Sequence, residues 1–382
     1  MADCRVCGSI ELSDDELARR AASVEQAPTR LGVGGILTAA VATRRQVEQA
    51  VLEVENVRTH FHTQEGTVHA VNGVGFDLAE GEVLGVVGES GSGKSVTMLS
   101  LLGLLPTPPA EVVSGAARLE GEDLMALDDE ALRRIRGARV GFVFQDPMTS
   151  LNPVLTVGYQ LVEPLRTHLG MDREVARNRA AGLLDLVGIP EPEKRLRAFP
   201  HEFSGGMRQR VMIAMALACS PKVLIADEPT TALDVTIQAQ ILDLVKRLRH
   251  ELGMAIIWIT HDLGVVAGLA DRVMVMYAGQ VVERADVKSL YGRPRHPYTR
   301  GLLRTLPRLD GAGSPSASRR RLPSIAGQPP NLTQAPRSCP FAPRCPHAYS
   351  HCENENPVLA SIAEGHEVAC FYDVEADRPY ER

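Results

Sequence analysis

The octapeptide Gly88-Glu89-Ser90-Gly91-Ser92-Gly93-Lys94-Ser95 limits what this chain can fold into more than any other stretch. The apolar run 83–87 before it predicts a buried strand, and 95–105 after it predicts a helix. Between them lies G-x-x-x-x-G-K-S, a phosphate-binding loop. Its glycines let successive backbone N–H groups turn inward around an anion. The helix N-terminus adds the positive end of its dipole. Lys94 is placed for the β and γ phosphates, the Ser95 hydroxyl for Mg²⁺, and Val96 follows in the first helical turn. Only 5 of the 41 basic residues are Lys, so Arg is the default cation here. A compact ammonium stands at 94 all the same, where a planar guanidinium fits the loop poorly.

The 382 residues allow a large core and about two domains. Hydrophobic content of 44% and charge of 23% are ordinary for a soluble globular chain. A net charge of −6 argues against a protein built to coat nucleic acid. No apolar run reaches the roughly 18 residues that a membrane span needs. The start of the chain is acidic at Asp3 and lacks the basic region of a secretion signal. Of the seven cysteines, 4, 7, 219, 339, 345, 352 and 370, four crowd into the last 44 residues, which suggests a local metal site more than a disulfide framework.

Residues 1–50 are weakly patterned and are expected to be peripheral. Ser13 to Glu16 carries a capping signature, and Cys4-x-x-Cys7 reads as two thiols of a loose tail because no second pair stands near it. From residue 51 short β-type runs follow, 52–57, 68–74 and 83–87, then 140–144, 223–226, 255–260, 273–276 and 280–283. Helix-forming text fills the gaps, as at 238–252. Strands alternating with helices predict an α/β fold, a parallel sheet with helices on both faces. The stretch 150–218 is mostly helical in pattern, punctuated at Pro164, Gly170, Gly188 and Pro200, and reads as an insertion.

Two further motifs carry chemistry. Residues 223–228 form an apolar strand ending in Asp227 and Glu228. Such a strand delivers Asp227 to its carboxyl edge, within reach of Mg²⁺ through water, and leaves Glu228 poised to take a proton from an attacking water. Ser204-Gly205-Gly206 precedes an apolar helix and makes a second exposed anion site at a helix end. One nucleotide does not need two such sites on one chain. Two chains facing each other do.

Ser204-Gly205-Gly206-Met207-Arg208-Gln209 is similar to the signature sequence of ABC (ATP-binding cassette) ATPases. The other motifs of that family follow in order from about 51 to 284. The resemblance implies a P-loop NTPase (RecA-like) core with an antiparallel β subdomain and a helical insertion, acting on ATP with Mg²⁺. It makes Gln145 the glutamine that touches Mg²⁺ or water and faces a transmembrane partner. Thr231-Ala232-Leu233-Asp234 becomes the segment crossing the dimer interface, and His261 the switch histidine at the γ-phosphate. Phe61 is the candidate for stacking on adenine, with His62 and His60 as alternatives.

Asp146-Pro147-Met148-Thr149-Ser150-Leu151-Asn152-Pro153, His296-Pro297-Tyr298-Thr299 and the tail from Ile325 through Cys345 resemble the oligopeptide/dipeptide importer branch. That second resemblance covers about 51–375. It implies an ATPase domain over 51–290 and an extension over 291–382 holding Cys339, Cys345, Cys352 and Cys370. Four thiolates can hold zinc or a 4Fe–4S cluster. The resemblance favours the cluster, and His347, His351 and His366 then read as surface histidines. Residues 310–338 read as an extended linker, with Arg319-Arg320-Arg321 a solvated or interface patch.

The resulting expectation is a peripheral subunit on the cytoplasmic face of the membrane. It pairs with a second ATPase subunit, as heterodimer or homodimer, and with two permease subunits and an extracytoplasmic binding protein, to power import of peptides. Import of nickel or another small solute is the alternative within the branch. A soluble ABC protein of DNA repair or translation is a rival, but the chain has one cassette and no sustained heptads. A subunit that binds ATP without hydrolysing it conflicts with the presence of Glu228, Gln145 and His261.

Overall fold

The computed structural model describes residues 50–231, 233–306 and 324–380. The expectations for Cys4, Cys7 and the Ser13 cap, and for Arg319 to Arg321, lie outside the described residues.

The chain opens with two long strands, β1 (Ala50–Thr63) and β2 (Gly66–Ala79), paired antiparallel as a hairpin. Then comes β3 (Val83–Val87), all five residues buried, and after the glycine loop the helix Lys94–Leu101. That helix is shorter than 95–105. The chain turns at Gly103, whose φ of +57° breaks the α spiral. Strand β4 (Ala110–Leu119) returns against β1, and β5 (Glu122–Asp123) completes a four-stranded antiparallel sheet in the order β2-β1-β4-β5. β6 (Val140–Val143), β7 (Val223–Asp227), β8 (Ala255–Thr260), β9 (Arg272–Tyr277) and β10 (Gln280–Asp286) belong to the larger sheet.

Helices Val157–Leu169, Arg173–Leu186 and Gly205–Ala216 occupy the insertion between β6 and β7. Pro164, expected as punctuation, instead lies inside the helix Val157–Leu169. Its missing N–H costs one helical bond, but the helix continues because Val157, Leu161 and Leu165 are fully buried on one face. Gly170 ends it in the left-handed conformation.

The eight-stranded sheet has the order β11-β12-β10-β9-β3-β8-β7-β6, where β11 (Ala360–Ala363) and β12 (His366–Val368) come from the tail. Strands β6, β7, β8, β3 and β9 run parallel, and β10 and β12 add antiparallel at the edge. The tail is therefore part of the core sheet. A buried carboxylate holds that seam. Glu283 on β10 is 0% exposed and accepts from the Arg295 N–H at 2.6 Å, the His296 N–H at 2.9 Å and His366 Nε2 at 2.8 Å. His366, read from sequence as a surface residue, is buried, because its ring is the donor that satisfies this carboxylate. His347 is half-buried and His351 exposed.

His296 caps the helix Pro297–Arg304 by accepting the Tyr298 N–H at 3.0 Å. Full burial pushes its pKa from 6.5 down to about 4, against the opposing charge of Glu283. The unfolded chain then binds the proton more tightly, so stability is full above about pH 6.5 and falls as the pH drops toward 4. The group is expected to cost about 2 kcal/mol between pH 7 and pH 5. Thermal unfolding across that window should show a smaller acid loss in His296→Asn, which keeps a neutral cap. An unchanged pH slope would remove His296 as its source.

Candidate functional site

Strand β3 lies between β8 and β9 in parallel register, and β7 lies beyond β8. Their carboxyl ends therefore share one edge of the sheet, where loops in such folds meet ligands. Three loops gather there.

The first is the glycine loop. Lys94 is 5% exposed, and its Nζ donates to the carbonyls of Gly88 at 2.8 Å and Glu89 at 3.0 Å. Burial lowers its pKa, and the charges of Glu228, Asp227 and Glu89 oppose that shift. Ser92 is buried in the same loop, and its Oγ has no hydrogen-bond partner among the described residues. A buried ammonium on carbonyls and an orphaned hydroxyl in a loop of turned amides fit a phosphate group. Gly91 and Ser90 are exposed, and Val96 is half-buried behind Ser95. Two glycines have no room for a side chain. A Cβ on Gly88 would lie 2.2 Å from the Met276 carbonyl oxygen. On Gly93, at φ +96°, it would lie 2.6 Å from that of Ala70.

The second loop follows β7. Asp227 is 6% exposed and accepts the Ser95 hydroxyl at 2.8 Å, and burial raises its pKa. This hydroxyl–carboxylate pair suits Mg²⁺, which is held by one or two carboxylates together with substrate phosphates and water. Glu228 stands next, at φ +45°, a left-handed conformation that costs energy for a residue with a side chain. Its N–H donates to the Ile259 carbonyl at 3.0 Å, which pins this turn to β8.

The third loop, after β8, brings His261. The side chains of three residues meet on one oxygen. Glu228 Oε2 contacts Gln145 Nε2 at 3.4 Å, Thr231 Oγ1 at 2.9 Å and His261 Nδ1 at 3.2 Å. Gln145 and His261 are thus brought to the carboxylate from separate loops. The role of Thr231 was not legible from its interface motif. The signal is its place three residues beyond Glu228, across a tight turn, where a hydroxyl reaches back.

Ser204, Gly205 and Gly206 are not part of this cluster. Ser204 caps the helix Gly205–Ala216 by accepting the Met207 N–H at 3.4 Å, and Ser204 and Gly205 are exposed. This helix end is open to solvent. Asp234 is also exposed, and it caps the helix Val235–Leu252 by accepting the Ile237 N–H at 3.0 Å. On β1, Phe61 is half-buried. Its alternatives are engaged within the sheet: His60 Nε2 lies 3.0 Å from His69 Nδ1, and His62 Nε2 lies 2.6 Å from a Glu111 carboxylate oxygen.

The tail cysteines correct an expectation. Cys339, Cys352 and Cys370 are buried, Cys345 is half-buried, and all are free thiols. Burial pushes the Cys339 thiol up to about 11 and the Cys370 thiol up to about 12, and the neighbouring cysteines add to both shifts. They lie near one another, with the Cys339 N–H on the Cys352 carbonyl at 3.0 Å. Yet among the described residues no group of three or more Cys, His, Asp or Glu is placed to hold a metal ion. The residues as placed do not form a 4Fe–4S or zinc centre. As placed, three of the four are thiols packed away from water and Cys345 is half-buried.

Comparison with known proteins agrees with this geometry. The ABC transporter family model matches residues 71–231, and the model of the oligopeptide/dipeptide transporter C-terminal region matches 282–352. The dipeptide transport ATP-binding protein DppD of Bacillus subtilis is 51% identical over 323 residues, covering 85% of this chain and 95% of that protein. The oligopeptide transport ATP-binding protein OppD of Salmonella typhimurium is 50% identical over 330 residues, covering 86% and 96%. Among solved structures, the dimeric ABC transporter cassette MJ0796 superimposes with a TM-score of 0.56 at 32% identity, over 62% of this chain and 98% of that one.

The closeness of Gly93 to the Ala70 carbonyl gives a direct test of the loop. Gly93→Ala meets both the clash and the positive φ, and is expected to weaken binding of a fluorescent ATP analogue by roughly tenfold or more. Parent-like affinity would mean that the loop does not hold the phosphates in this conformation.

Proposed function

Because this chain belongs to the ABC ATPases of the oligopeptide/dipeptide transporter family, we propose that it binds MgATP at the Lys94 loop and hydrolyses it with Glu228 as general base. The observation that carries the assignment is the convergence of Gln145, Thr231 and His261 on Glu228 Oε2, one residue beyond the Asp227–Ser95 pair. In this reading the loop amides and Lys94 hold the β and γ phosphates, and Ser95 and Asp227 hold Mg²⁺. The metal supplies charge neutralisation at the phosphates. Glu228 takes the proton of the attacking water as the oxygen bonds to the γ-phosphorus and the bond to the ADP oxygen breaks. Gln145 and Thr231 orient the carboxylate and water. His261 senses the γ-phosphate, and Phe61 stacks on the adenine.

The exposed signature helix supports a composite site. Ser204, Gly205 and Gly206 stand apart from the cluster around Glu228, so they complete the site of a second ATPase subunit, with Asp234 at the crossing. A heterodimer, with the related subunit of the same importer, is the arrangement we favour. None of the described helices is long and apolar enough to cross a membrane. In this reading the chain works from the cytoplasmic face through separate permeases, fed with peptide by an external binding protein. Phe144, Met148, Val154 and Tyr159, in the stretch of chain that includes Gln145, are 41, 60, 75 and 60% exposed, apolar side chains suited to docking on those permeases.

Glu228→Gln keeps the shape and removes the base. It is expected to bind ATP normally and to lose at least about a hundredfold in turnover, within the range general bases contribute. Near-parent hydrolysis by the assembled transporter would exclude Glu228 as the base. Ser204→Arg should leave nucleotide affinity of the isolated chain within about twofold while damaging hydrolysis in the assembled dimer. Such a small change corresponds to well under 1 kcal/mol. A large loss of binding by the isolated chain would place Ser204 in its own pocket.

A further inference from the structure

One residue of the phosphate loop is held by parts of the chain that the ATPase chemistry leaves unexplained. Glu89 follows the first glycine of the loop. Its N–H donates to the Tyr298 hydroxyl at 2.9 Å, and its carbonyl accepts from Lys94 Nζ at 3.0 Å. Its carboxylate takes a two-pronged ion pair from the tail: Arg344 Nη1 to Oε2 at 2.8 Å and Nη2 to Oε1 at 3.0 Å. All three polar groups of Glu89 are therefore engaged, two of them by the region beyond β10.

The Arg344 side chain is 5% exposed and that of Glu89 26%, so the pair is largely shielded from water. Its Nε donates to the Ala326 carbonyl at 2.9 Å, and Nη1 also reaches the Tyr277 hydroxyl at 3.3 Å. The guanidinium lies over the rings of Tyr277 and Phe341, with its central carbon 5.7 and 6.0 Å from their centroids. Phe341 in turn packs on Tyr298, with centroids 5.4 Å apart. The same tail crosses the hairpin, where the His69 N–H donates to the Leu332 carbonyl at 2.7 Å. A planar fork of donors, fixed by carbonyls and stacked on aromatics, is a site for Arg and not for Lys.

The chemistry of the loop makes the pairing consequential. A carboxylate in a loop that binds a triphosphate repels its ligand unless a cation cancels it. A fixed loop also loses less freedom when the ligand binds. We propose that Arg344 is a positioning residue for the phosphate loop: through Glu89, the C-terminal tail sets the affinity of this chain for nucleotide. Arg344 precedes Cys345, so the fold of the cysteine-bearing tail and the loop's grip on ATP are coupled through one side chain.

The proposal rests on the ATP-binding reading, and the test separates the two. MgATP affinity is measured on the purified full chain for the parent, Arg344→Gln, Glu89→Gln, the double variant, and Lys94→Ala. Arg344→Gln is expected to raise the dissociation constant about tenfold, and adding Glu89→Gln should bring no further loss, because the two residues act as one unit. In the assembled transporter the KM for ATP should rise with kcat nearly unchanged, since Arg344 touches neither the γ-phosphate nor the water. Arg344→Lys should recover only part of the affinity. Losses that multiply in the double variant, or a folded Arg344→Gln chain that melts earlier but binds ATP within about twofold of the parent, would overturn the proposal. If Lys94→Ala binds ATP like the parent, the nucleotide reading itself fails. If Lys94→Ala loses binding while Arg344→Gln does not, only the tail coupling fails.

Discussion

The parallel neighbours β7, β8 and β3 end at a common edge, and the candidate chemistry depends on that registry. Val87 pairs with Thr260, and Asp227 pairs with Ile259. The residue after each strand end is then a loop residue aimed at the same space. Gly88 starts the phosphate loop, Glu228 follows Asp227, and His261 follows Thr260. No long-range contact needs to be built for these groups to meet. The sheet does it, through three loops that begin at the ends of three consecutive strands, β8 lying between β3 and β7.

Electrostatics then sorts roles among neighbours. Asp227 and Glu228 are adjacent carboxylates beside a buried ammonium. Asp227 is held by the Ser95 hydroxyl, and desolvation raises its pKa against the lowering effect of that hydrogen bond. Glu228 turns out of the strand at positive φ, which directs its side chain to Gln145, Thr231 and His261. The backbone cost of that turn is local and is offset by the N–H bond to Ile259. Two carboxylates adjacent in the chain thus come to sit in different surroundings, Asp227 against Ser95 and Glu228 among Gln145, Thr231 and His261.

The sequence was most legible where local physics and function demand the same residues. The loop 88–95, the strand before it and the carboxylate pair after β7 each have a pattern that few other structures share. Strand β4 was not legible: Ala110, Gly115, Ala116 and Ala117 give it little β character, and it forms because β1 offers an edge to pair. His366 looked like a surface residue because its partner, Glu283, lies 83 positions away. Pro164 looked like a stop because the burial that outweighs it comes from other helices. The same limit applies to Glu89 and Arg344. Neither has a local pattern that reveals the other, since 255 residues separate them.

The tail repeats one solution at two places. At the sheet edge, buried Glu283 gathers donors from the helix-capping segment and from β12. At the phosphate loop, the Glu89 carboxylate accepts from Arg344 while the Glu89 N–H donates to the Tyr298 hydroxyl, both partners again from beyond β10. In each case a carboxylate on the ATPase core is satisfied by groups of the tail, and removing either side leaves a buried charge or donor without its partner, a costlier state than the pair. Residues 296–298 link the two nodes, with the His296 N–H on Glu283 and the Tyr298 hydroxyl on Glu89. A helix of eight residues, Pro297–Arg304, therefore ties the edge of the sheet to the centre of the phosphate site. The His-Pro-Tyr-Thr segment thereby acquires a physical role. It joins the sheet edge to the loop through two hydrogen bonds two residues apart, the His296 N–H on Glu283 and the Tyr298 hydroxyl accepting from the Glu89 N–H.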